Sequence, residues 1–101
     1  MILTTQQIRH LRGLAHHLKP VLMIGEKGIS DNVLVELDRA LNDHELIKVN
    51  IAGAMKKERQ VVTKQLCQVS DAQLVQMIGR MSILYRPNKK PKLIIPTAHK
   101  K

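Results

Sequence analysis

The run Val21-Leu22-Met23-Ile24-Gly25-Glu26-Lys27-Gly28 decides the fold of this chain. Four apolar residues between Pro20 and Gly25 are too few for a helix and predict a short strand buried on both sides. Gly25 and Gly28 then make a tight loop, and Ser30 or Asp31 can cap a helix over residues 32–42. Val33, Leu34, Leu37, Ala40 and Leu41 share its inner face, while Glu36, Asp38 and Asp43 make the outer side acidic. Residues 44–51 alternate, with Ile47, Val49 and Ile51 on one side and Lys48 and Asn50 on the other, as in a strand half open to water. Strand, helix and strand in this order imply a parallel pair joined by a right-handed crossover.

The rest of the chain extends the pattern. Residues 5–18 predict a first helix: Ile8, Leu11, Ala15 and Leu18 share a face, Thr4 or Thr5 can cap it, and Pro20 stops it. Residues 55–68 predict a third helix with Val61, Val62, Leu66 and Cys67 inside and Lys56, Lys57, Arg59 and Lys64 outside. Ser70 can cap a short helical turn over 71–77. A strand over 80–86, a Pro-rich turn over 87–91 and a strand over 92–95 would form a final hairpin. Residues 1–96 thus read as a single domain of order α-β-α-β-α-β-β around a mixed sheet, and 97–101 as a frayed basic tail.

Composition narrows the function. The chain has 101 residues, 17 Lys+Arg against 8 Asp+Glu, and a formal net charge of +9. Residues 1–55 are neutral overall, so the whole excess lies in 56–101, where only Glu58 and Asp71 are acidic. One-signed charge of this kind points to a polyanionic partner. No apolar run is long enough to span a membrane, and no basic segment carries the broad apolar face of a membrane-surface helix. No secretory signal is visible, and a single cysteine excludes an internal disulfide, so a cytoplasmic address is expected. The five histidines lack metal-ligand spacing, and no nucleophile–base set can be assembled, so no metal, cofactor, small-molecule substrate or catalysis is expected. Cys67 reads as a small core residue.

Tyr85 is the one aromatic ring, with no Phe or Trp beside it. An RNA-binding surface made of stacked aromatic rings is therefore excluded, and if the chain binds nucleic acid, recognition must work mainly through phosphates, backbone amides and shape. The Gly25-Glu26-Lys27-Gly28 loop stands before a helix whose free N–H groups attract phosphate. It follows a strand, so it is not the loop of a KH domain, and it lacks the Gly-Lys-Ser/Thr run of a nucleotide-hydrolysing P-loop. Arg9, Arg12, His16 and Lys19 form a basic stripe on the first helix.

Four blocks together resemble one family. Leu11-Arg12-Gly13-Leu14-Ala15-His16 through Leu18-Lys19-Pro20-Val21, the Ile24–Gly28 loop, His44-Glu45-Leu46-Ile47-Lys48-Val49, and Ile78-Gly79 with Leu84-Tyr85-Arg86-Pro87 are similar, in order, to the YhbY family. The unit of that family is the CRM (chloroplast RNA splicing and ribosome maturation) domain, and the resemblance is to a stand-alone bacterial member over roughly the whole domain. It implies a two-layer α/β sandwich with a four-stranded mixed sheet, similar to the C-terminal domain of translation initiation factor three. It also implies association with precursors of the large ribosomal subunit, with the Gly25–Gly28 loop touching RNA.

The expected function is therefore a non-catalytic, monomeric RNA-binding protein acting on rRNA in ribosome assembly. Its candidate contacts are Gly25, Glu26, Lys27 and Gly28, then Arg9, Arg12, His16 and Lys19, then Lys56, Lys57, Arg80, Arg86, Lys89 and Lys90. The rivals are a general RNA chaperone and a protein adaptor whose acidic helix docks a basic ribosomal protein.

Overall fold

Thr4 starts the first helix through a reciprocal cap. Its hydroxyl accepts the Gln7 N–H at 3.1 Å, and Gln7 Oε1 accepts the Thr4 N–H at 2.9 Å. In the computed structural model, which describes residues 3–53, 55–91 and 93, this helix is α1 (Thr5–Ala15). It ends before the predicted residue 18. Pro20 disfavours helical backbone at Lys19, and the chain leaves through a turn in which the Leu18 N–H bonds the Ala15 carbonyl.

The chain continues as β1 (Leu22–Ile24), α2 (Asp31–His44), β2 (Leu46–Ile51), α3 (Lys56–Ser70), β3 (Gln73–Ile78) and β4 (Met81–Tyr85). The sheet order is β1-β2-β4-β3, with β1 parallel to β2 and the other two pairs antiparallel. The α/β class, the order of elements and the four-stranded mixed sheet are as the sequence predicts.

The final hairpin sits elsewhere. Residues 71–77, expected as a helical turn, contribute most of β3, and the hairpin is β3–β4 across Gly79-Arg80. Asp71, in left-handed backbone at φ 61°, reverses the chain after α3. Gly79, at φ 56°, supplies the positive angle that a two-residue hairpin loop needs. The strand expected over 92–95 lies outside the described residues except for Leu93, which is a bend.

The helices divide between the two faces, which corrects the two-layer expectation. Ile47, Val49 and Ile51 of β2 pack with Ile24, Leu84, Leu37 and Leu41 of α2, and Leu66 of α3. On the other side, Leu46, Val75, Ile83 and Tyr85 pack with Leu11 and Ala15 of α1 and with Leu3. α3 also turns differently from expectation: Val61 is exposed and Thr63 is buried. Thr63 Oγ1 and Ser82 Oγ lie 2.7 Å apart, so a hydroxyl pair joins α3 to β4 where an apolar contact was expected.

Glu45 ends α2 and is fully buried at a positive φ of 64°. Its two carboxylate oxygens accept the Leu93 and Asn88 N–H groups, each at 2.8 Å, and its carbonyl accepts the Arg86 N–H at 2.8 Å. This one side chain holds the segment after β4 against the domain. Its sequence neighbours suggested no such role, because the acceptors' partners are more than forty residues away.

Two predictions follow from these packing facts. In Glu45→Gln an amide N–H₂ replaces one acceptor and faces a backbone donor, so urea unfolding should show a loss of about 2 kcal/mol, the usual cost of an unsatisfied buried group. Hydrogen exchange at Asn88 and Leu93 should accelerate in the same variant. Burial raises the Cys67 thiol from 9.0 to about 11, and burial followed by the Glu45 charge raises the Tyr85 phenol. A raised folded value means the stabilising contribution is intact below pH 9 and is lost as pH rises towards 11. The melting temperature should fall across that window, and less steeply in Cys67→Ala.

Candidate nucleic-acid interface

The parallel strands place several loops at one end of the sheet. The Ala52 N–H bonds the Ile24 carbonyl at 2.9 Å, and the Ile51 N–H bonds the Arg80 carbonyl at 2.8 Å. Arg59 then ties two of these loops, donating from Nη1 to the Gly53 carbonyl at 2.7 Å and from Nε to the Gly79 carbonyl at 3.0 Å. The result is a common edge carrying the Gly25–Gly28 loop, the start of α3 with exposed Lys56 and Lys57, and the Gly79-Arg80 turn. The amino ends of α2 and α3 open on this edge, so their peptide dipoles add to the lysines.

Inside the loop, the Gly28 N–H bonds the Gly25 carbonyl at 3.0 Å, and Gly28 has φ +83°. That angle explains Gly28 by backbone geometry alone. Gly25 is different: its φ is not positive, and a Cβ built there would meet nothing within 4 Å. Neither backbone nor packing requires glycine at Gly25, and the surface above it is bare. Lys27 is exposed at the tip. Glu26 lines a cavity of about 410 Å³ with Gly25, Gly28, Gly53, Glu58 and Val62, on the α3 side of the loop.

The first-helix stripe is only partly helical. Arg9 and Arg12 lie within α1, His16 is its C-cap, and Lys19 lies in the segment before β1. All four are exposed. With its amide oxygen turned to α1, Gln76 of β3 accepts from Arg12 Nε and Nη2 at 3.1 and 3.2 Å, which fixes that guanidinium over the sheet. Lys48 stands on the same face, in the row Lys48–Ile83–Gln76.

Arg86, Lys89 and Lys90 are placed at the opposite end of the sheet. Arg86 is committed to the frame: Nη1 reaches the Ser70 carbonyl at 2.9 Å and Asp38 Oδ1 at 3.0 Å. Its Nη2 reaches Asn42 Oδ1 at 2.9 Å and the Asp38 carbonyl at 3.3 Å. This residue locks α2 and α3 to the end of β4, and only 19% of its side chain is exposed. Lys89 and Lys90 are exposed beside it.

Charge separates by layer. α1 and all four strands contain no Asp or Glu; the 8 acidic residues lie in α2, in α3, or in the segments that enter and leave them. Splitting the chain by sequence halves conceals this separation, which follows the faces of the sheet. Lys48 and Arg59, absent from the candidate contacts, join the picture only through the strand register and the loop contacts.

A family model described as CRS1 / YhbY (CRM) domain matches residues 3–86. The chain is 50% identical over 91 residues to a Pseudomonas aeruginosa protein named "Probable RNA-binding protein", covering 90% of this chain and 88% of that one. It is 45% identical over 94 residues to an RNA-binding protein of Haemophilus influenzae, covering 93% and 95%. The solution structure of a Staphylococcus aureus protein superposes with a TM-score of 0.82 at 34% identity, covering 94% of this chain and all of that chain.

The two groups of cations should respond differently to mutation. Arg86→Ala strips four acceptors of their donor and should lower stability by about 2 kcal/mol in urea unfolding, after allowing for the exposed Asp38 partner. Lys89→Ala should stay within about 0.5 kcal/mol of the parent, as a surface change does.

Proposed function

The chain belongs to the CRS1 / YhbY (CRM) domain family, and from that premise we propose that it is a non-catalytic RNA-binding protein that associates with rRNA in precursors of the large ribosomal subunit. The observation that carries this reading is the acid-free layer formed by α1 and the sheet, edged by Lys27, Lys56, Lys57 and Arg80. On α1 and the strands a phosphate backbone meets only positive or neutral groups, and Glu26 and Glu58 at the edge are set among Lys27, Lys56 and Lys57, whereas the outer side of α2 would repel it. The names of the relatives support RNA as the partner. The role in assembly and the choice of the large-subunit precursor come from the family resemblance. A monomer in the cytoplasm, without cofactor, suffices for this activity.

Recognition is mainly by backbone and shape. Gly25 lets a phosphate approach the main chain, Lys27 and Arg80 flank it, and Arg9 and Arg12 extend the positive field along α1. A general RNA chaperone would use the same surface without preference, and retention of one rRNA precursor over bulk RNA distinguishes the two.

Binding to a structured rRNA fragment should weaken steeply with salt. Four engaged phosphates give a log–log slope of about −3, at roughly −0.7 per contact. Gly25→Asp should keep the melting temperature and lose about tenfold in affinity, the equivalent of one charge-assisted contact. Arg9→Glu with Arg80→Glu should lose more, while Glu36→Lys should bind as the parent does or slightly better. Affinity that is indifferent to salt and to the first three changes, yet lost in Glu36→Lys, would transfer the function to a protein adaptor acting through α2.

A further inference from the structure

One row of side chains crosses all four strands on the α1 side: Met23 faces Asn50, Asn50 faces Met81, and Met81 faces Ile78. Directly opposed residues project from the same side of a sheet, and alternate residues of one strand do as well. Asn50 therefore shares its side with Leu46, which α1 covers. The row itself is not covered. Met23 is 68% exposed and Ile78 57%, with Asn50 and Met81 half-buried. The short all-apolar run of β1 predicts a strand buried on both sides, and Met23 corrects that expectation: β1 is an edge strand beyond the reach of α1.

The strip is narrow, with cations along both of its long borders and the carboxylates of Glu26 and Glu36 only at its β1 end. At the usual strand spacing of about 4.8 Å, four strands make a row roughly 14 Å long. On its inner side stand Lys48 and the Gln76 amide that carries Arg12. On its outer side, β1 runs into the loop that carries Lys27 next to Glu26, and the β3–β4 turn presents Arg80. No carboxylate belongs to any of these strands.

An apolar strip is a poor seat for phosphates, and its two cationic borders are good ones. A chain with phosphates on both borders and flat apolar faces between them fits this arrangement, and an unpaired stretch of RNA is such a chain. Duplex RNA hides its base faces in the stack and cannot use the strip. We infer that this strip holds the bases of a short unpaired RNA segment, lying against the Met23 and Met81 thioethers and Ile78, with the Asn50 amide available to a base edge. Polarizable thioethers suit the contact without aromatic rings. The inference rests on the RNA-binding reading and narrows its substrate to folded RNA with an unpaired loop or bulge.

The test uses two RNA hairpins of equal length, one fully paired and one with an internal loop of unpaired nucleotides. The parent protein should prefer the looped RNA. Met23→Ser with Ile78→Ser, both at exposed sites, should lose about tenfold for the looped RNA, the scale of one ordinary contact, and stay within about twofold for the paired one. The salt slope should not change, because no phosphate contact is removed. Peroxide oxidation of the parent provides a second readout without mutation: looped RNA should protect Met23, while Met77 on the opposite face reacts as before. If the parent binds both hairpins equally and Met23 remains oxidisable in the complex, the strip is not an RNA seat and the inference is overturned, with the backbone-binding reading intact. If the variant loses affinity for both hairpins alike, the assignment to unpaired nucleotides is overturned. If the parent binds neither hairpin, it is the RNA-binding reading itself that fails.

Discussion

The alternation of side chains along β2 is the constraint on which this molecule depends. β2 pairs in parallel with β1 and antiparallel with β4, so its two faces set the sides of the whole sheet. Ile47, Val49 and Ile51 face α2 and α3, while Leu46, Lys48 and Asn50 project from the opposite side of the sheet, where α1 covers Leu46. A slip of one residue would bury Lys48 under α2 and carry Ile47, Val49 and Ile51 to the α1 side, away from the core they fill, so the register is strongly enforced. Because acidic residues are confined to α2, α3 and their flanks, this register also sorts charge between the faces. Packing and electrostatics thus share one cause.

Much of the fold was legible because local signals agreed. The Thr4 and Ser30 caps, the inner face of α2 and the alternation of β2 each appear in the chain as in the structure. β3 was not legible as a strand. Its residues follow α3 with no glycine or proline between, so the sequence reads as a short helical turn capped by Ser70, and only the left-handed Asp71 reverses the chain. A register step between Leu74 and Gln76 further blurs the alternation within β3. The two residues Gly79-Arg80 between apolar runs were the available hairpin signal.

The candidate site was legible residue by residue but not as a surface. Lys27, Lys56, Lys57 and Arg80 lie far apart in sequence and meet because parallel strands deliver their loops to one end. Arg86 looked the same as these in the sequence, yet Asp38, Asn42 and Ser70 occupy its guanidinium. Likewise, the exposed acidic residues Glu36, Asp38 and Asp43 of α2 and the buried Glu45 are alike in charge and opposite in role. Glu45 holds the chain after β4 in place, which no spacing rule reveals because its partners follow from tertiary contact.

The claim that the acid-free layer faces RNA is tested most directly by titrating isotope-labelled protein with a structured rRNA fragment and following every backbone amide by NMR. The account predicts shift changes confined to the Gly25–Gly28 loop, the first turn of α3, the Gly79-Arg80 turn, the exposed side of α1 and the row Met23, Asn50, Met81 and Ile78 between them. The outer side of α2 around Glu36 should stay silent throughout. Perturbation centred on α2, with α1 and the glycine loop unmoved, would contradict it.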